Sequence, residues 1–113
     1  MHEYSLVQAL VEQVDQQVRA HHASGVHSVS VRIGAMAGVD VELFTTAYTT
    51  FRERTVCEHA VLHVDVVPAV WACPSCNAAI ERGRPLQCSV CGDSARLVSG
   101  DEIMLDRLEL EVA

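Results

Sequence analysis

Residues 71–98 read WACPSCNAAIERGRPLQCSVCGDSARLV. Cys73 and Cys76 form one pair, Cys88 and Cys91 another, with eleven residues between the pairs. Pro, Gly and Cys crowd the stretch, and no hydrophobic period survives in it. So short a segment cannot build a hydrophobic core of its own. It needs a staple, and its cysteines can provide one. Two residues between partners let both sulfurs reach one ion, and the stretch between the pairs can form a hairpin that brings the second pair round. Four thiolates in a tetrahedron are the closed coordination zinc prefers, although iron also accepts them. Redox dithiols are the competing reading. They want their motif at the start of a helix in a βαβ unit, and the Pro and Gly here argue against it. With four cysteines on the metal no position is open for water, so the expected zinc is structural. Arg82, Arg84 and Arg96 could offset the negative charge of such a cage.

Both flanks of this stretch are periodic. Residues 4–22 read as an amphipathic helix, with Val7, Leu10, Val11, Val14 and Val18 on one face and Ser24-Gly25 as the stop. His21 and His22 fall in its last turn as surface residues that suit the helix dipole. Val29, Val31 and Ile33 alternate with Ser28, Ser30 and Arg32, a half-buried strand over 27–33. The small-residue turn Gly34–Gly38 leads to a second helix over 41–54, whose apolar face is Leu43, Phe44, Ala47, Tyr48 and Phe51. Met36 packs in that turn or in the core. Asp40 stands near the N-cap of the second helix. Leu62, Val64 and Val66 mark a second strand ending at Pro68, with His63 facing outward. Leu108, Leu110 and Val112 mark a third. Its alternation breaks at Leu105-Asp106, so it begins with a bulge or only after that point. The fold class expected is α+β: two helices against a small three-stranded mixed sheet, with an inserted four-cysteine, zinc-ribbon-like module. Residues 1–70 plus 99–113 form the α/β domain and 71–98 the insert.

The chain has 113 residues, the size of one domain. Its 15 acidic residues face 8 arginines and no lysine, giving a net charge of −7. Phosphate backbones repel such a surface, which argues against a nucleic-acid binder. No apolar run is long enough to span a bilayer, and the first residues carry no basic or apolar signal region. A cytoplasmic, reducing compartment is expected, where paired cysteines bind metal more often than they form disulfides. Cys57 stands alone at the end of a helix and reads as a small buried hydrophobe.

The opening Met1-His2-Glu3 has chemistry of its own. A large residue at position 2 keeps the initiator methionine in place. The Met1 amine, the deprotonated His2 amide and the His2 ring can then chelate together, and the Glu3 amide completes four nitrogens in a plane. That geometry suits Ni(II) or Cu(II) better than Zn(II). The Glu3 or Asp40 carboxylate could add an oxygen.

MHEYSL at 1–6, SVRIGAMAGVD at 30–40, the two cysteine pairs and SGDEIMLDRLELE at 99–111 occur in that order. Together they resemble the HypA/HybF family of hydrogenase maturation nickel chaperones, nearly end to end. The resemblance implies nickel bound through His2 with the terminal amine and neighbouring amides, with Glu3 and Asp40 near that site. It implies structural zinc on Cys73, Cys76, Cys88 and Cys91. It also implies a HypB-type GTPase partner and delivery of nickel to the large subunit of [NiFe]-hydrogenase. Some relatives also serve urease, which adds urease maturation factors to the partners. Some members place histidines beside the cysteine pairs. Here Pro74-Ser75 and Ser89-Val90 sit inside the pairs and the module has no His, so ligand exchange through histidine is not expected.

The function expected is a nickel metallochaperone, a monomer or homodimer that binds neither nucleic acid nor membrane and is not an enzyme. The alternative is a zinc-ribbon protein-interaction scaffold with no nickel site. A hydrolytic or deaminating zinc enzyme would need an open coordination position; Glu81 and Asp93 are ordinary surface candidates for its base. A nucleophilic Cys57 with His59 lacks a third member.

Overall fold

The computed structural model describes residues 2–112. Helix α1 spans Glu3–Ala20, strand β1 Ala23–Gly34, helix α2 Val41–Phe51 and strand β2 Val61–Val67. Strands β3 (Val70–Ala72), β4 (Ala79–Ile80) and β5 (Arg96–Ser99) follow, and β6 (Ile103–Val112) closes the chain. Among the described residues there are two sheets, ordered β2-β1-β6 and β4-β3-β5. In the first, β1 runs parallel to β2 and antiparallel to β6. The two helices and the mixed three-stranded sheet are those read from the periodicity. The second sheet was not foreseen: its strands have two to four residues, too few to show a period.

The core of the first layer lies between the sheet and the helices. Val7, Leu10, Val11 and Val14 are buried from α1, and Phe44, Ala47 and Tyr48 from α2. Val26, Val29, Val31 and Ile33 meet them from β1. The α2 stripe falls at the spacing that faces a core. Leu43, expected on that face, stands at its border and is half exposed. Ser28, Ser30, Arg32 and exposed His63 lie on the sheet's other side, where Ser30 is the register partner of His63.

Three boundaries differ from the periodic reading. Helix α1 stops at Ala20 because His22 adopts a left-handed conformation, φ 52°. Ser24 and Gly25 are drawn into β1 by pairing with β6, where the Ser24 hydroxyl donates to the Glu111 carbonyl at 3.1 Å. Helix α2 ends at Phe51, and a turn carries Arg54 at φ 62°. The break in β6 is a bulge: Ser30 pairs with Arg107 and Val31 with Leu105, which leaves Asp106 over. That extra residue puts Ile103 and Leu105 on the same inner side as Leu108 and Leu110, so the strand begins at Ile103.

The route into and out of the second sheet passes one turn. The amides of Gly34, Ala35 and Met36 donate to the carbonyls of Glu102, Val67 and Gly100, each at 2.8 Å. The backbones of Gly34 and Gly100 touch there: a Cβ on Gly34 would lie 2.1 Å from the Gly100 carbonyl oxygen. Met36 is exposed in this turn. Gly38 and Val39 then carry the chain to Asp40 and α2.

Candidate metal centres

The two cysteine pairs fold as the same local structure. The Cys73 amide donates to the Ala78 carbonyl at 2.9 Å, and the Asn77 amide returns to the Cys73 carbonyl at 2.9 Å. In the second pair the Cys88 amide donates to the Asp93 carbonyl at 2.8 Å, and the Gly92 amide returns to the Cys88 carbonyl at 2.9 Å. Asn77 (φ 60°) and Gly92 (φ 75°) hold the same left-handed position after each second cysteine, where Gly and Asn are tolerated best. The Ser75 hydroxyl donates to the Asp93 carboxylate and so ties one turn to the other. The Gln87 side-chain amide donates to the Gly92 carbonyl at 2.7 Å.

These turns bring all four sulfurs within 4.8 Å of one another. Cys73 and Cys91 are 3.1 Å apart, Cys76 and Cys88 3.6 Å, and Cys76 and Cys91 3.9 Å. All four cysteines are free thiols, with sulfur separations well beyond a disulfide's roughly 2.05 Å. Four thiolates about 2.3 Å from one ion stand roughly 3.8 Å apart, so the cluster is consistent with a zinc site. The Cys91 amide beside Cys88 pulls that thiol down to about 6. The Cys73 sulfur against Cys91 pushes the latter up to about 12. Backbone amides likewise lower Cys73, and neighbouring sulfurs raise Cys76; a bound dication would ionise all four. Arg82, Arg84 and Arg96 are exposed, and Arg84 reaches Glu81 at 3.7 Å.

The second candidate centre is the start of α1. Met1 lies outside the described residues. His2 is the N-cap, its side chain exposed and making no capping bond. Its carbonyl accepts the first helical bond, from Leu6 at 3.2 Å. Glu3 is buried, and its Oε2 accepts the backbone N–H of Asp40 at 3.0 Å. That bond holds the Glu3 carboxyl below the usual carboxylate range. Asp40 caps α2: its Oδ1 accepts the Leu43 amide at 3.1 Å. His2, Glu3, Tyr4, Leu43, Thr46 and Thr50 line an open groove of about 540 Å³. Tyr4 meets Phe51 edge-on at 5.4 Å.

The other candidates stand apart. Cys57 is buried, as its isolation in the sequence suggested, while His59 is exposed beside Glu58. His21 bonds the Gln17 carbonyl through Nδ1 at 3.0 Å. Asp93 belongs to the cysteine cluster through Ser75 and is no free base. The Asn77/Gly92 repeat and the Ser75–Asp93 link were missed. A residue that tolerates positive φ after each Cys-x-x-Cys was the signal available for the first; the second had none.

A family model described as "Hydrogenase/urease nickel incorporation, metallochaperone, hypA" matches residues 1–110. The chain belongs to the HypA family. It is 35% identical to the hydrogenase maturation factor HypA of Shewanella baltica (strain OS185), over 98% of this chain and 97% of that one. The HypA of Shewanella halifaxensis is 37% identical over the full length of both, and that of Nitrosospira multiformis 38% over 97% of each. Among solved structures, the Ni metallochaperone HypA from Helicobacter pylori superposes with a TM-score of 0.74 at 28% identity over both entire chains. A further HypA solution structure gives 0.80 at 28% identity, covering all of this chain and 98% of that one. This HypA-family chain is thus a nickel metallochaperone of hydrogenase maturation, with a cysteine cluster suited to zinc. No helix among its described residues is long and apolar enough to cross a membrane.

Proposed function

We propose that this protein takes up Ni(II) at its N-terminus and passes it, with a HypB-type GTPase, to the hydrogenase large subunit, acting as a carrier and not as an enzyme. Family membership over residues 1–110 carries the reading, and the local chemistry supports it. The first amides of a helix have no intrahelical partner, and here the first helical bond is donated by Leu6. Deprotonating the His2 and Glu3 amides therefore sacrifices no helical bond. Two amidates also neutralise the dication, so the positive end of the α1 dipole does not repel the complex. The ligands are the Met1 amine, the His2 amide and ring, and the Glu3 amide, with Asp40 beside them. Their place at a chain end lets them leave the metal one at a time. Zinc on Cys73, Cys76, Cys88 and Cys91 keeps residues 71–98 folded, and the site of action is the cytoplasm.

The test is a Ni(II) titration of zinc-loaded protein with its native N-terminus, against a form extended by a few residues before Met1 and against His2→Ala. Binding with a planar-site absorption band, abolished by both changes while zinc stays bound, is the expected result. Because the chelate displaces protons, the affinity should rise with pH. Equal binding by all three forms would move the site to internal histidines. No binding by any would leave the zinc-module scaffold as the better account.

A further inference from the structure

Glu3 is the one carboxylate buried among the described residues, and its surroundings explain why. A helix N-terminus is commonly closed by a reciprocal pair. The N-cap side chain takes the amide three residues on, and a Glu or Gln at that third position takes the N-cap's own amide. In α2 the first half is present, Leu43 N–H to Asp40 Oδ1 at 3.1 Å. The second half cannot be, because the Leu43 side chain has no acceptor. Glu3 supplies it from the first turn of α1, accepting the Asp40 N–H at 3.0 Å across 37 residues of chain. The box is completed between two helices, and the burial of the Glu3 charge is compensated by an amide at the positive end of α2.

We propose, resting on the N-terminal nickel reading, that Glu3 is a positioning residue: its side chain latches the start of α2 to the start of α1 and is not itself a nickel ligand. With Glu3 Oε2 on the Asp40 amide and Asp40 Oδ1 on the Leu43 amide, the latch fixes where Asp40 stands relative to His2. Loss of the latch lets the Gly38–Asp40 segment drift from the chelating nitrogens, and with it the Asp40 carboxylate that would add an oxygen to the metal.

The test compares Glu3→Gln with Glu3→Ala, both zinc-loaded and with native N-termini. A glutamine carbonyl still accepts the Asp40 N–H, whereas alanine cannot. In nickel-free protein, Glu3→Ala should speed hydrogen exchange at the Asp40 amide by about tenfold or more, and Glu3→Gln should leave it within about threefold of the parent. Ni(II) affinity should follow the same order, weakened about tenfold in Glu3→Ala and nearly kept in Glu3→Gln. Glutamine that protects the Asp40 amide yet loses nickel as fully as alanine would make the carboxylate a ligand and overturn the proposal. Unchanged exchange in Glu3→Ala would show that no latch exists. If the parent itself binds no nickel at its N-terminus, the functional reading fails and the positioning role with it, while the exchange arm still reports whether the two helices are tied.

Discussion

Tyr48 shows how one buried residue organises its surroundings. Its hydroxyl donates to the Ala60 carbonyl at 2.8 Å, and Arg52 donates to the same oxygen at 3.1 Å while lying over the Tyr48 ring. Tyr48→Phe should therefore cost only about 1 kcal/mol in a denaturant titration, because Arg52 keeps the carbonyl satisfied. Cys57 is buried beside it, and burial pushes its thiol up to about 11. Burial also raises Tyr48 above the usual phenol range. Both groups stay neutral in the folded chain at a pH where the unfolded chain ionises. Below about pH 8.5 neither contributes; above it the unfolded state binds fewer protons, so stability falls as pH rises toward 11. Denaturation midpoints should decline over that alkaline range, and Cys57→Ala should flatten the first part of the decline. A slope unchanged by the substitution would assign it to other groups. The burial of Cys57 was legible because it stands apart from both cysteine pairs and because His59, two residues on, offered it no third member. Its hydroxyl neighbour was not, since Tyr48 reaches it only once α2 is packed.

At the scale of elements, the two cysteine turns depend on backbone handedness as much as on sulfur. Gly92→Val should strain its turn by about 1–2 kcal/mol, whereas Asn77→Gly should be close to neutral. A chelator competition checks this: the valine variant should surrender zinc first, and equal loss from both would show that the left-handed position does not matter. The long elements were readable because their periods run over many residues, as in Val7–Val14 and Val29–Ile33. Their ends were less so. Ser24-Gly25 is a stop signal by composition, yet pairing with Glu111 makes it strand. The Asp106 irregularity was visible, but only the partner strand decides between a bulge and a late start. Asp40 as a cap was local and legible; the Glu3 bond to its amide spans the chain and was not.

Over the whole molecule, 57 Å in its longest dimension, the buried core cluster includes no residue between Leu62 and Ile103 except half-buried Val64 at its border. Zinc removal should therefore deprotect β3–β5 to hydrogen exchange while β2-β1-β6 stays protected. Simultaneous loss of both sheets would show that the metal supports the entire chain. The ordering of motifs along the chain announced the family, but the neck between the sheets was hidden in a run of small residues. There Gly34 and Gly100 meet backbone to backbone; Gly100 holds φ 101°, and a Cβ on it would lie 2.6 Å from the Ala69 Cα. Neither residue approaches a metal ligand in sequence. Even so, in a random library screened for hydrogenase maturation these two codons should be as intolerant as those of the cysteines, alanine included, and the intolerance would record the shape of a crossing and no chemistry at all.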